Sequence, residues 1–248
     1  AHCIDGLLEI QAMGYRDFEF VIGTDVHTSA GTWERIALSE WFQHPQWDPT
    51  GYENDLAMVR LADPSELALP ALLHRPGPDA GWQDTLISYV GWGKADDSEA
   101  DTSGIKRTVD VPLYDLYELV FLTHDPNNRN VCYGDSGGAA FITDEDGVMR
   151  LAGVNSFIFS LDGGSPVCAS AQSAAGAARV DKYLEWIGTY VDIEAVEEEV
   201  EAELSEAEEV PGEKSESESV QETVEADKQT PEFARSALAS NEAAAGCA

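Results

Sequence analysis

Residues 132–140 read Cys132-Tyr133-Gly134-Asp135-Ser136-Gly137-Gly138-Ala139-Ala140. A serine hydroxyl is a poor nucleophile at neutral pH unless a base takes its proton during attack. It also needs backbone N–H groups aimed at the oxyanion that develops on the substrate. Glycines around Ser136 suit that second demand, because a residue without a Cβ lets the chain turn tightly and approach a ligand. The same run is compatible with a glycine-rich turn of no chemical consequence. The choice depends on whether a histidine and a buried aspartate stand in suitable settings elsewhere.

Both are present. The chain opens Ala1-His2-Cys3, and Asn54-Asp55-Leu56-Ala57-Met58-Val59-Arg60-Leu61 follows. An acid at the head of a short alternating apolar run reads as an aspartate at the start of a half-buried strand. In this order the three segments resemble the chymotrypsin/trypsin-like serine peptidase family, which carries A-H-C, N-D-[IL]-A-L-L-x-L and C-x-G-D-S-G-G-P. Further segments share the likeness. His44-Pro45-Gln46-Trp47 is similar to the family's H-P-x-[YW] turn, Val90-Gly91-Trp92-Gly93 to its G-W-G strand end, and Val111-Pro112-Leu113 to its V-P-L strand. Gly153-Val154-Asn155-Ser156-Phe157 is similar to the strand lining its substrate cleft, and Arg179 to Ile187 to its closing helix. The resemblance spans residues 1–190, and the ordered series is far more specific than a lone S-G-G.

The resemblance implies roles residue by residue. Ser136 is the expected nucleophile, His2 the general base and Asp55 the acid that orients the imidazole. The backbone N–H groups of Gly134 and Ser136 form the expected oxyanion hole. Asn130 corresponds to the base of the primary specificity pocket, and Ser156, Phe157 and Ile158 to its wall. A neutral Asn130 does not support a preference for Arg or Lys, and a branched Ile158 narrows the entrance toward small or medium apolar residues. Ala139 replaces the usual proline. Four histidines compete with His2: His44 reads as structural before a proline, whereas His27, His74 and His124 read as residues of polar loops. Asp48 sits in a turn signature, Asp-Pro-Thr-Gly. Trp33, Trp41, Trp47, Trp82 and Trp92 read as core and strand residues.

The four cysteines suit an exported, secreted or cell-surface protein. By the resemblance Cys132 pairs with Cys168. Cys3 is expected to stand unpaired, a Cys3–Cys247 bridge being the arithmetic alternative. No C-x-x-C or H-E-x-x-H spacing points to a metal, and no cofactor is expected. The net charge of −33 makes nucleic acid and anionic membranes poor partners. A protein or peptide substrate remains. The sequence carries no sign of oligomeric state.

Alternating apolar runs near 17–23, 34–42, 55–61, 84–92, 104–113, 138–143 and 148–159 predict many short strands and an all-β barrel or sandwich. Asp144-Glu145-Asp146-Gly147 reads as a hairpin turn, and an amphipathic helix is expected at about 181–190. The resemblance sharpens this to two six-stranded antiparallel barrels, the first incomplete, in a peptidase domain of residues 1–191. Residues 192–210 read as an acidic, helical extension of doubtful stability, and 211–248 as a disordered linker. Of the 47 acids and 14 bases, 29 and 11 lie in residues 1–191, so the remainder is much the more acidic per residue. The tail is similar to linkers that precede membrane anchors in some bacterial secreted peptidases, and any anchor is expected only beyond Ala248. The first strands, and a new N-terminus that would salt-bridge Asp135, are expected to precede Ala1.

Two other function classes compete. A catalytically silent homologue acting as a binding or regulatory module usually lacks a triad member, whereas all three are present here. An esterase on another fold would show G-x-S-x-G with its acid and histidine after the serine; here the order is His, Asp, Ser.

Overall fold

Hairpin turns and buried strands build the body of the chain. In the computed structural model, which describes residues 1–75, 82, 85–98 and 101–208, the strands fall into two sheets. β1 (Glu19–Gly23), β2 (Thr32–Gln43) and β3 (Ala57–Leu61) form a three-stranded antiparallel sheet. Next come β4 (Leu86–Gly91), β5 (Arg107–Leu116), β6 (Val120–His124), β7 (Ala139–Thr143), β8 (Met149–Ser160) and β9 (Ser173–Arg179). These six close into an antiparallel barrel in the order β4-β5-β6-β9-β8-β7. One complete barrel and a partial sheet is the architecture expected.

The β7–β8 hairpin turns where the sequence predicts it. Asp144 accepts the Gly147 N–H through its backbone carbonyl at 3.0 Å, and Gly147 takes φ +80°, a left-handed conformation that glycine adopts without strain. β9 has no alternation. All seven of its residues, Ser-Ala-Ala-Gly-Ala-Ala-Arg, are buried, because neighbouring strands and packed side chains cover both faces. A Cβ on Gly176 would stand 2.3 Å from the Phe157 ring, so the close approach of strand and ring requires glycine there.

Inside the barrel, Ile87, Tyr89, Val111, Phe121, Ala140 and Ile142 form the main core. Each fully buried large apolar side chain contributes about 1.5–3 kcal/mol. A second cluster joins Leu56, just before β3, to Ala178 and Val180 at the end of β9 and to Tyr183 and Ile187 beyond it. This contact holds the partial sheet against the barrel and places the residue before Leu56 at the junction. That residue is Asp55.

Helices depart from expectation at three places. α1 (His2–Ala12) was not foreseen; it is rich in helix-forming residues, and Asp5 in its first turn complements the helix dipole. The predicted helix at 181–190 is instead a 3-10 turn at Val180–Lys182 followed by the four-residue α2 (Leu184–Ile187). α3 (Ile193–Glu208) fills the predicted acidic extension, and it is docked. Val200 is 4 % exposed, the Leu73 N–H donates to Glu197, and Arg75 pairs with the same carboxylate. Residues 211–248, read as a linker, lie outside the described residues. Among the described residues no helix is long and apolar enough to cross a membrane.

Candidate active site

Asp55 precedes the strand that carries the partial sheet to the barrel, and the chain reaches it through a strained corner. Tyr52 and Asn54 both take positive φ, +52° and +55°, a conformation rare for residues with a Cβ. The Tyr183 hydroxyl donates to Asn54 Oδ1 at 3.3 Å, and the Leu56 carbonyl accepts the His44 N–H at 2.9 Å. So tethered, Asp55 is 2 % exposed. A buried carboxylate is costly unless hydrogen-bonded, and this one accepts four donors. Oδ1 receives the Ala1 nitrogen at 2.6 Å and the His2 N–H at 2.8 Å. Oδ2 receives His2 Nδ1 at 2.5 Å and Ser156 Oγ at 2.5 Å. Burial alone would raise its pKa. The hydrogen bond and charge of His2 lead the effects that override burial and hold the carboxyl well below its usual range.

An ionised Asp55 decides the tautomer of His2. The proton sits on Nδ1, so Nε2 is left with a lone pair. Nε2 points away from Asp55 and toward the region of Cys3 Sγ, 3.6 Å away.

Ser136 lies on a loop whose bends come from Gly134 (φ +90°) and Gly137 (φ +78°). The loop is pinned to β8 by reciprocal backbone bonds, Gly137 N–H to the Asn155 carbonyl at 2.9 Å and Asn155 N–H to the Gly138 carbonyl at 3.0 Å. The next residue along β8 is Ser156, which reaches Asp55. Across the loop, Cys3 Sγ stands 3.5 Å from where a Cβ on Gly137 would be. The structure therefore brings His2, Asp55, the Ser136 loop and Ser156 together from four separate parts of the chain.

Cys132 is bridged to Cys168 with Cα atoms 4.9 Å apart, as expected. The Asp97 carboxylate braces this bridge, accepting the Cys168 N–H at 2.8 Å. Cys3 corrects the expectation that it stands unpaired: it is disulfide-bonded, and no free cysteine occurs among the described residues.

The slot beside Ser136 is lined by Val131, Tyr133, Asn155, Ser156, Phe157 and Ile158 among others. Its free volume of about 10 Å³ is roughly that of one water. Ile158, one of the lining residues, is 4 % exposed and pairs across the sheet with the buried Ala175. Asn130 is placed elsewhere. It lines a separate cavity of about 250 Å³ with Gly93, Arg107 and Asp135, and both of its side-chain polar atoms are buried without a hydrogen-bond partner. Asp135 shares that cavity wall, held by the Gly93 N–H at 2.7 Å and the Cys132 N–H at 2.9 Å. Burial outweighs these bonds and pushes its carboxyl up.

The other histidines separate from the site. His44 is packed edge-on against Tyr183 and Trp186, in keeping with a structural role. His124 is not a loop residue, and His74, which belongs to no strand or helix, is buried rather than exposed in its loop. His74 is 6 % exposed against Trp82, because residues 72–74 add to β8 at Leu151, and His124 lies in β6 with its Nδ1 2.9 Å from the Ser173 carbonyl. Four residues near the site were not singled out for it from sequence. Tyr52 stands with its ring 6.2 Å from His2 and 5.7 Å from Phe157, and Trp47 flanks it at 6.1 Å. Asp5 and Gln43 hydrogen-bond beneath. None of the four carried a signal, because the helix that places Asp5 three residues after His2 was not foreseen.

A family model described as Trypsin matches residues 1–187. The chain belongs to the trypsin family. Among its relatives are brachyurin of Leptuca pugilator, 28 % identical over 196 residues, and serine proteinase stubble of Drosophila melanogaster, 27 % over 214. Vitamin K-dependent protein C of Mus musculus is 25 % identical over 216 residues. The matches take in 78 %, 77 % and 77 % of this trypsin-family chain, and 82 %, 25 % and 43 % of the respective relatives. The chain thus spans most of brachyurin but a minor part of the other two. These relatives are animal proteins and lend no support to a bacterial-type member. Membership makes the chain a serine-type hydrolase by descent, in a family that acts on proteins and peptides.

Proposed function

We propose that the protein is a serine endopeptidase in which His2, Asp55 and Ser136 form the triad. The observation that carries this reading is the satisfied Asp55 carboxylate, which fixes the His2 tautomer and leaves Nε2 as the base. Ser136 Oγ attacks the scissile carbonyl carbon while its proton passes to His2 Nε2. The carbonyl π electrons move to oxygen, and the Gly134 and Ser136 N–H groups stabilise that oxyanion, at about 3 kcal/mol per donor. Collapse expels the amine, which takes the proton from His2, and leaves an acyl-Ser136 ester. A water then attacks the ester carbonyl as its proton passes to the same nitrogen, and the departing Ser136 Oγ takes that proton back as the acid product leaves.

Primary specificity is for small or medium apolar residues. The slot beside Ser136 has little free volume, the branched Ile158 lines it, and no carboxylate other than that of Asp135 does so. Asp135 is committed to backbone donors, so it offers a substrate Arg or Lys nothing. Tyr52 and Phe157 supply an aromatic wall beside His2 for the neighbouring substrate residues. An extracytoplasmic setting fits the Cys132–Cys168 bridge, because such disulfides persist under oxidising conditions.

The test is labelling by a fluorophosphonate probe, comparing the full chain with Ser136→Ala. Labelling of the wild type alone supports the reading. An unlabelled wild type that also hydrolyses no peptide from a library varied at the primary position overturns it.

A further inference from the structure

We propose that Asp5 is a positioning residue for His2, acting through a hydrogen-bonded strut that runs from Trp47 through Asp5 and Gln43 to the Ala1 carbonyl. This rests on the peptidase reading above. His2 is the first residue of α1, so the orientation of that first turn sets where its ring lies. Asp5 follows at i+3, on the same side of the helix. Its two oxygens are spent on distant partners. Oδ1 accepts Gln43 Nε2–H at 2.7 Å and Oδ2 accepts Trp47 Nε1–H at 2.9 Å. The same Gln43 amide donates to the Ala1 carbonyl at 3.1 Å, immediately before the histidine.

A simpler role for Asp5 is to complement the helix dipole. That role needs no partner, whereas these donors lie 38 and 42 residues away, at the end of β2 and in the loop that follows. Both donors are neutral, and no cation pairs with Asp5 among the described residues. Bonds to an ionised acceptor are about twice as strong as neutral ones, so the strut is stiff without quenching the charge. Its far end bears on the substrate side. The Trp47 ring lies 6.1 Å from Tyr52, which faces both His2 and Phe157. The loop carrying Trp47 and Tyr52 then runs directly into Asp55. One carboxylate therefore ties the base, the corner before the triad acid, and the aromatic wall into a single frame.

Misplacing a catalytic group by an ångström costs up to about a hundred-fold in rate. Asp5→Ala is expected to lower kcat about ten- to a hundred-fold with KM nearly unchanged. Trp47→Phe, which keeps the ring and deletes only the N–H donor, should lower kcat by less, and the double variant should be no worse than Asp5→Ala alone. Asp5→Asn keeps an acceptor for Gln43 and should recover part of the loss. The downfield proton resonance of His2 Nδ1–H, held by Asp55, reads the same geometry without any substrate, and should shift or broaden in Asp5→Ala and Trp47→Phe. If Asp5→Ala fails to fold, Trp47→Phe and Asp5→Asn carry the comparison. The proposal is overturned if both variants match the wild type in kcat and in that resonance, if only KM changes, or if the two losses simply add. A wild type without peptidase activity whose His2 resonance still responds to both substitutions would sink the peptidase reading and leave the strut standing.

Discussion

Ser156 Oγ lies 2.5 Å from Asp55 Oδ2, the oxygen that His2 Nδ1 also reaches at 2.5 Å. Strand β8 and helix α1 thus meet on one atom of a buried carboxylate. Ser156→Ala removes one of four donors and leaves part of that charge unsatisfied, at about 1.5–3 kcal/mol for a bond to a charged group. Denaturant unfolding should show a loss of that size. The kcat for a peptide substrate should fall about ten-fold as the Asp55–His2 pair loosens. Unchanged stability and rate would mean that Ser156 only fills space.

Two aspartates near the site should give pH dependences of opposite sign. The Asp55 carboxyl is held below its unfolded value of 3.8, so its contribution to stability is present above that value and is lost as pH falls toward the folded value. Asp135 is pushed above 3.8 by burial, so its contribution is present below the unfolded value and is lost as pH rises through the folded one. Unfolding free energies measured across acidic pH should lose the acid-side fall in Asp55→Asn. The opposing slope should disappear in Asp135→Asn.

His74 should limit stability in mild acid. Burial holds its imidazole below 6.5, and the charges around it, Asp181, Arg150, Asp144 and Arg179, are of both signs. The unfolded chain therefore takes up the proton first, and stability falls as pH drops below 6.5 toward the folded value. Neither ring nitrogen has a hydrogen-bond partner among the described residues. His74→Phe keeps an aromatic edge on Trp82 and removes these two atoms. It should leave stability at neutral pH unchanged or raise it by about 1–2 kcal/mol, and flatten the acid slope. Denaturant titrations at neutral and at mildly acidic pH distinguish this from a folding defect.

Ile158→Gly should open the slot beside Ser136. A change of this kind in an apolar pocket alters discrimination by about 1–3 kcal/mol. The ratio of kcat/KM for a large aromatic residue over alanine at the primary position should rise by about ten- to two-hundred-fold. A ratio that stays fixed would show that Ile158 does not bound the pocket.

Much of this was legible in the chain. His2, Asp55 and the Ser136 loop stand in short stretches whose residue types the chemistry demands, and strands such as β5 and β8 carry apolar runs long enough to register. β9 escaped because a strand of alanine, glycine and serine covered on both faces has no period to detect. β6, buried at four of its five residues, escaped for the same reason. His74 was misread because Arg75 and the prolines and glycine after it look like a loop, while its burial comes from a pairing with Leu151 that local sequence does not encode. The same limit hid Asp5, whose partners lie at the end of β2 and in the loop that follows it. Asn130, which the resemblance puts at the base of the slot, lines the neighbouring cavity instead.

Gly176 and the Phe157 ring occupy space that only one of them can fill, since any Cβ at 176 would fall within the ring's van der Waals envelope. The two positions are therefore exchangeable only together. A side chain gained on β9 must be matched by shrinking residue 157 or by swinging its ring aside. Under the proposed function, in which Phe157 walls the substrate path, diversifying one residue at a time will miss those combinations, and the route to an altered wall runs through paired changes at 157 and 176.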